Sequence, residues 1–142
     1  MTTVSDRAAH RGEIEDVLNA YAHAYDDRDA AAVGEAFAVD GTMSFRIADG
    51  DLIGPFEGRE AIVAMMAATL GGQTDQRRHL ASTFTLDHVD GETARARSYL
   101  TLAAVADGKL EVLTTGRYLD ELVRVDGAWL LSSRHLALDL PF

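Results

Sequence analysis

The sequence contains no cysteine, so it can form neither a disulfide nor a metal site built on thiolates. Such a composition fits a reducing compartment, and we expect a cytoplasmic protein. No apolar run reaches the ~18 residues of a membrane helix, and the first residues lack the apolar core of a secretory signal. Positive charge is scarce, with 13 lysines and arginines against 23 aspartates and glutamates, for a net charge of −10. We therefore expect no nucleic-acid or membrane partner, since both select basic surfaces.

Several familiar site motifs are absent as well. No two of the five histidines have His-x-x-x-His spacing, which argues against a zinc site. There is no Gly-x-Gly-x-x-Gly, no P-loop and no Gly-x-Ser-x-Gly. We expect neither a metal nor any other cofactor.

The first half of the chain carries helical patterns. The whole chain of 142 residues suits a single domain with one core, spanning residues 1–142. Ser5 or a nearby residue is expected to cap the first helix. Asp26 falls at the margin of that helix's apolar face, and Asp29 is interpreted as the N-cap of a short second helix. The apolar face follows the i, i+3, i+4, i+7 pattern through Ile14, Val17, Leu18, Tyr21, Ala22 and Tyr25.

Five Asp-Gly pairs punctuate the remainder, and this dipeptide is typical of tight turns. Four of them separate strand-like runs, and Asp40 of the fifth is also interpreted as a turn residue. A third helix is predicted at residues 59–70. The order predicts an α+β fold in which a strongly curved antiparallel sheet wraps around the long N-terminal helix. With two further helices, this cone-shaped half-barrel would enclose a cavity. The predicted strands are residues 42–48, 51–55, 79–89, 93–105, 110–125 and 129–140.

His79 stands at the start of one of these strand-like runs. Strand alternation places it on one face with Ala81, Thr83 and Thr85. A large polar ring followed by small residues suits a pocket wall. The alternative is a histidine that only packs in the core or lies exposed at an edge.

An aspartate paired with a histidine is a common way to make a base. A carboxylate that accepts one imidazole N–H fixes the tautomer and makes the other nitrogen more basic. Such a pair can remove a proton from a carbon next to a carbonyl group or beside a leaving group. Asp26 is the plausible partner of His79, although sequence alone leaves their contact open.

Several motifs together resemble the SnoaL-like family of the nuclear transport factor 2-like superfamily, over nearly the whole chain. The resemblance implies a cone-shaped α+β barrel with an apolar cavity, often a homodimer or homotrimer packed through the outer sheet face. It rests on residues 14–29, Phe37-x-x-Asp40-Gly41, Gly58-Arg59-Glu60-Ala61-Ile62, Arg78-His79, Gly116-Arg117-Tyr118-x-Asp120, and Gly127-x-Trp129 with Ser133-Arg134.

Within that family the chain is most similar to scytalone dehydratase, bile-acid 7α-dehydratase and hexachlorocyclohexane dehydrochlorinase. These enzymes use an Asp–His pair to drive eliminations. The resemblance carries their aspartate onto Asp26 and their histidine onto His79. It also carries a tyrosine onto Tyr21 and the late arginine of the dehydrochlorinase onto Arg134. The dehydratases have a further tyrosine where this chain has about Phe45, which removes one hydroxyl acid.

A second acid or histidine of these enzymes falls within residues 99–104, where only Tyr99 and Thr101 are polar. Tyr99 shares its strand face with two arginines. Tyr25 and Trp129 are interpreted as core residues. Tyr118 and Asp120 are interpreted as residues of sheet packing and of the dimer face.

The resemblance implies a cofactor-independent lyase, with dehydration of an apolar polyketide- or steroid-like molecule as the leading reaction. One alternative is a polyketide cyclase or ketosteroid-type isomerase that uses the same base. Another is a non-catalytic module that binds small molecules or assembles other subunits. The candidate catalytic residues are His79, Asp26 and Tyr21, and the candidate substrate-binding residues are Arg134, Phe45 and Tyr99.

Overall fold

A computed structural model describes residues 3–142, which form three helices and six strands. None of the helices in this part of the chain is long and apolar enough to cross a membrane. The helices are α1 (Val4–Asp26), α2 (Ala30–Glu35) and α3 (Arg59–Gly71). The strands are β1 (Phe37–Ile47), β2 (Ile53–Glu57), β3 (Gln76–Val89), β4 (Thr93–Ala106), β5 (Lys109–Val125) and β6 (Ala128–Leu138).

Both ends of the first helical segment are set by local side chains. Thr3 caps α1: its hydroxyl accepts from the Asp6 N–H at 3.0 Å, and the Asp6 carboxylate accepts from the Thr3 N–H at 3.3 Å. At the other end, Asp29 accepts from the Ala32 N–H at 3.0 Å and caps α2, as predicted. Asp26 is the last residue of α1, and the N–H of the C-cap residue Asp27 donates to the carbonyl of His23.

The six strands form one curved, unclosed sheet in the order β2-β1-β6-β5-β4-β3. Neighbouring strands are antiparallel, except that β1 and β6 run parallel. The long helix α1 contacts β3 and β6 across the inner face. The predicted α+β class, with a curved sheet around the N-terminal helix and two further helices, is confirmed.

The prediction for Asp40 and Gly41 was wrong. β1 begins at Phe37, and the two residues lie inside the strand, where the register to β6 shifts between Phe37 and Thr42. A Cβ atom on Gly41 would lie 2.9 Å from the carbonyl oxygen of Leu131. This glycine therefore permits a close approach of two strands at a bulge rather than a hairpin turn. The other four Asp-Gly pairs join consecutive strands, as predicted.

The core lies between the helices and the inner face of the sheet. One buried cluster joins all three helices to the strands and includes Ile14, Ile62 and Trp129. A second cluster lies on β4, β5 and β6 and includes Leu100 and Tyr118. Residues of both clusters line one internal cavity, which is where the site described below is found.

Candidate active site

The cavity has a volume of about 140 Å³ and lies between α1, α3 and the inner face of the sheet. Fourteen of the described residues line it, and ten of them are apolar. The other four are Tyr21, Tyr25, Thr69 and His79, which supply three hydroxyl groups and one imidazole. An apolar chamber with a few polar groups is the usual form of a small-molecule site.

His79 and Asp26 are in direct contact at the edge of this cavity. Nδ1 of His79 lies 2.6 Å from Oδ1 of Asp26, and the His79 backbone N–H donates to Oδ2 at 3.0 Å. The two side chains are only 5% and 10% exposed. Because a carboxylate can only accept, Nδ1 carries the ring proton and Nε2 is left as the basic nitrogen. Within residues 3–142, Nε2 has no hydrogen-bond partner.

The loop that leads into β3 is tied to the end of α1, and this holds the pair in place. The Gln76 side chain donates to the backbone carbonyl of Asp26 at 2.9 Å. Arg28 donates to the carbonyl of Gln73 at 2.7 Å and also to the carbonyl of Asp75. The aspartate and the histidine therefore come from two elements whose relative position is fixed on both sides of Asp26.

Tyr25 lines the cavity and is not purely a core residue, which corrects its interpretation from the sequence. Its ring centroid lies 4.2 Å from that of His79, and its hydroxyl accepts from Nε2 of Gln73 at 2.9 Å. Burial raises the pKa of Tyr25, so the phenol keeps its proton at neutral pH. The apolar face of α1 continues past the packed core at this point and faces the cavity instead. The sequence signal was its position immediately before Asp26.

Tyr21 lies one helical turn earlier and is 2% exposed. Its hydroxyl is 3.9 Å from Sδ of Met43, within reach of a weak hydrogen bond to sulfur. Burial raises the pKa of Tyr21 well above its ordinary value. The residue lines the cavity, as expected for the candidate tyrosine.

Arg134 does not line the cavity, contrary to its assignment as a substrate-binding residue. Its guanidinium lies 4.3 Å from the ring centroid of Tyr21 and 3.5 Å from that of Tyr118. Its Nε is 3.0 Å from Oδ1 of Asp120, and this ion pair is almost completely buried. Arg134 faces inward on β6, as a cavity residue would, but the two tyrosine rings enclose it.

Tyr118 and Asp120 also face inward, so their assignment to a dimer face was wrong. They are 2% and 1% exposed, and both contact Arg134. Burial raises the pKa of Asp120 even though Arg134 lies opposite. Burial also raises the pKa of Tyr118 to about 12.

The last two candidates lie on opposite sides of the sheet. Phe45 lines the cavity and packs on Phe56 with a centroid distance of 5.8 Å, so this wall presents no hydroxyl. Tyr99 is 52% exposed and cannot contact a ligand in the cavity, which corrects its assignment. Strand alternation explains the difference, because Leu100 and Leu102 on either side of Thr101 point into the cavity.

Helix α3 and the segment after β6 supply lining residues that the sequence did not indicate. Met65, Met66 and Thr69 lie along one side of α3, and Phe142 follows β6. Met65 and Met66 are apolar residues of a helix that packs on the sheet, and no sequence pattern distinguishes packing from cavity lining. Within residues 3–142, no group of three or more His, Cys, Asp or Glu side chains could hold a metal ion.

A family model described as a SnoaL-like domain matches residues 6–135. The chain belongs to the SnoaL-like family. The match runs from the third residue of α1 through all but the last three residues of β6, and therefore includes Asp26 and His79. No curated protein matches this SnoaL-like chain.

Solved structures share the fold of this SnoaL-like protein over most of its length. A variant of Rv3472 from Mycobacterium tuberculosis, a protein of unknown function, is 25% identical with a TM-score of 0.83, over 96% of this chain and 75% of that one. A Catenulispora acidiphila protein in complex with S-DNPA is 28% identical with a TM-score of 0.80, over 93% and 95% of the chains. A Novosphingobium aromaticivorans protein provisionally named scytalone dehydratase is 21% identical with a TM-score of 0.78, over 96% and 88%, and shows the fold alone.

Proposed function

We propose that this SnoaL-like protein is a cofactor-independent lyase that removes water from an apolar small molecule. The observation that carries the proposal is the contact between Asp26 and His79 at the cavity wall, at 2.6 Å. A module that only binds ligands has no need for a histidine whose tautomer is fixed by a buried carboxylate. A base in an apolar chamber suits proton removal from carbon, because water is excluded from the reacting atoms.

The proposed reaction begins when Nε2 of His79 takes a proton from the carbon next to a carbonyl group. The C–H electron pair moves into an enolate, and Asp26 stabilises the imidazolium that forms. The enolate then expels a β-hydroxyl group, which leaves as water after it has received a proton, and a C=C bond remains. General-base catalysis of this kind contributes roughly 10²–10⁴-fold.

Two phenols of α1 line the cavity with His79 and can assist. Tyr25 accepts a hydrogen bond from Gln73, which leaves its own proton free to protonate the departing hydroxyl. Tyr21 points at a thioether, a weak acceptor that a substrate carbonyl can replace. In this proposal Tyr25 is the acid and Tyr21 polarises the carbonyl. Arg134 acts only through the ring of Tyr21.

An isomerase or a polyketide cyclase would use the same base, and the cavity geometry fits it too. Those reactions differ from dehydration in what happens to the oxygen atom of the substrate's hydroxyl group. An isomerase returns the proton to another carbon and the product keeps the mass of the substrate. A dehydratase releases one water, and mass spectrometry of the product distinguishes the two.

The decisive experiment replaces His79 by Ala and measures turnover of hydroxylated cyclic ketones found by screening the unaltered protein. We expect kcat to fall roughly 10²–10⁴-fold, because the base is lost, while ligand affinity and the free energy of unfolding stay nearly unchanged. His88→Ala is the matched control, because that histidine is exposed beside the β3–β4 turn and far from the cavity in the sheet register. Full activity in His79→Ala would show that the proposed mechanism is wrong, whereas the absence of turnover in the unaltered protein would support a binding module.

A further inference from the structure

We propose that Phe142 sets the size limit of the ligand, and that the cavity takes one uncharged six-membered ring. The inference rests on the proposed function in one respect only, which is that the ligand is a substrate and is turned over. The size and charge limits concern binding and hold for a binding module as well. They differ from the polycyclic substrates that the sequence resemblance implied.

The volume of the cavity gives the size. An engineered cavity of ~150 Å³ lined by apolar side chains binds benzene, so a chamber of about 140 Å³ holds one ring. Three methionines, Met43, Met65 and Met66, lie in its walls and can adapt to the shape of a ring without providing room for a second. A bicyclic ligand must therefore displace part of the wall.

The charges around the cavity exclude an ionised ligand. Two cations lie behind rings that line the cavity, and both are paired. Arg134 lies behind the Tyr21 ring and is paired with Asp120, and Arg77 lies behind the Phe142 ring and is paired with Asp75. The carboxylate of Asp26 is paired with His79. A ligand carboxylate would therefore be buried without a free counter-ion among the described residues, which is strongly unfavourable. A neutral carbonyl or hydroxyl group can instead use the phenols and the imidazole.

Phe142 is the part of the wall that a larger ligand would have to move. It lines the cavity, yet it is 57% exposed, so its ring lies between the chamber and solvent. The guanidinium of Arg77 lies 5.1 Å from the centre of this ring. Asp75 holds Arg77 in turn, with Nε 2.6 Å from Oδ1.

The backbone leading to Phe142 is anchored on β5. Thr114 donates its hydroxyl proton to the carbonyl of Leu140 at 2.8 Å, and the Leu140 N–H donates to the Thr114 hydroxyl oxygen at 3.2 Å. The Thr115 hydroxyl donates to Asp139 at 2.6 Å. These bonds fix residues 139–140, so the Phe142 ring is held at the cavity by a short and anchored segment.

The test measures the affinity of three probes by ligand-observed NMR: cyclohexanone, the bicyclic ketone 2-tetralone, and cyclohexanecarboxylate. The unaltered protein should bind cyclohexanone at least ~10-fold more tightly than either of the other two. Phe142→Ala should raise the affinity for 2-tetralone by ~10-fold or more, since the apolar surface of the second ring can then be buried. Its affinity for cyclohexanone should change by less than about threefold.

Two further variants make the result specific. Leu140→Ala removes an apolar side chain that is 63% exposed and does not line the cavity, so the probe ratios should stay unchanged. Phe142→Trp should weaken cyclohexanone binding and leave the fold intact by circular dichroism. Because binding does not need the base, repeating the titrations in Asp26→Asn, which removes the base without changing a residue that lines the cavity, separates this proposal from the proposed function. Equal binding of the two ketones to the unaltered protein, tight binding of the carboxylate, or an unchanged ratio in Phe142→Ala would each overturn the size and charge limits.

Discussion

Between the helices and the inner face of the sheet, two aspartates, Asp26 of α1 and Asp120 of β5, are each paired with a basic side chain, and the two pairs differ in whether a ligand can reach them. Asp26 and His79 lie at the cavity wall, where Nε2 of the imidazole can meet a ligand. Asp120 and Arg134 lie under the rings of Tyr21 and Tyr118, with side chains 0% and 1% exposed. Only the first pair can exchange a proton with a bound molecule.

The difference shows that a buried carboxylate paired with a base is not by itself a functional site. In the enclosed pair, Asp120 and Arg134, the attraction offsets part of the cost of burying two charges, and removing either partner leaves the other uncompensated. In the open pair, Asp26 and His79, the carboxylate fixes the tautomer of the imidazole, and Nε2 of the ring can still contact a ligand. We therefore expect mutations of the open pair to affect turnover and mutations of the enclosed pair to affect stability.

The largest effect should come from Asp26→Asn. An amide at this position can donate to Nδ1, which favours the tautomer with its proton on Nε2 and removes the base. We expect kcat to fall roughly 10²–10⁴-fold, with a change in unfolding free energy well below that of an Asp120 variant. Steady-state kinetics on a substrate found by screening measures the first quantity, and urea unfolding measures the second. Retention of kcat in Asp26→Asn would remove the distinction between the two pairs.

The next largest effect concerns the enclosed pair. Asp120→Ala should lower the free energy of unfolding by about 3–5 kcal/mol, because it leaves the Arg134 guanidinium buried without its partner. Urea unfolding followed by circular dichroism measures the loss. The double variant Asp120→Leu with Arg134→Met should recover most of it, since an apolar pair of similar volume has no charge to bury. A loss below about 1 kcal/mol in Asp120→Ala would show that the pair is open to water.

Local patterns predicted most of the fold and marked Asp26 as the plausible partner of His79, while the contact between the two stayed open until the structure was known. The apolar face of α1 was read from a period of 3.6 residues, and four Asp-Gly turns gave the order of the strands. Asp26 lay at the margin of the apolar face of α1 and at the end of that helix. A helix that ends against a strand places its last side chain beside that strand. Physical chemistry of short segments was sufficient for these features.

Other features depended on packing over long distances. Gly41 permits the close approach of a strand that follows ninety residues later, and no local signal separates that role from a turn. Arg134 faces inward as expected, but only the position of the Tyr21 ring decides whether it reaches the cavity. Tyr25 was assigned to the core because burial and cavity lining share one apolar pattern. The homodimer or homotrimer that the resemblance implies stays a prediction.

A smaller effect distinguishes the two phenols beside the open pair. Tyr25→Phe removes the proposed acid and should lower kcat for dehydration roughly 10–100-fold, within the usual contribution of a general acid. Tyr21→Phe should lower kcat less, because it removes only a hydrogen bond to the carbonyl. Gln73→Ala should have an intermediate effect, since it frees the Tyr25 hydroxyl to turn away. If Tyr25→Phe slows dehydration but leaves the rate of an isomerisation unchanged, the proton of Tyr25 goes to the leaving hydroxyl group. Equal losses in both phenylalanine variants would contradict the assignment.

The smallest effect is a pH dependence of stability that comes from the enclosed region. Burial raises the pKa of Tyr118 to about 12, whereas an unfolded tyrosine has a pKa of about 10. Between these two values the unfolded chain loses the proton while the folded chain keeps it, so stability is complete below pH ~10 and falls as the pH rises. Tyr118 alone should contribute a slope of roughly 1 kcal/mol per pH unit, and Tyr21 adds to it in the same direction. Urea unfolding at a series of alkaline pH values should show this slope, and Tyr118→Phe should reduce it. An unchanged slope in Tyr118→Phe would mean that water reaches the Tyr118 hydroxyl in the folded protein. The enclosed and open pairs would then differ less in burial than the structure indicates.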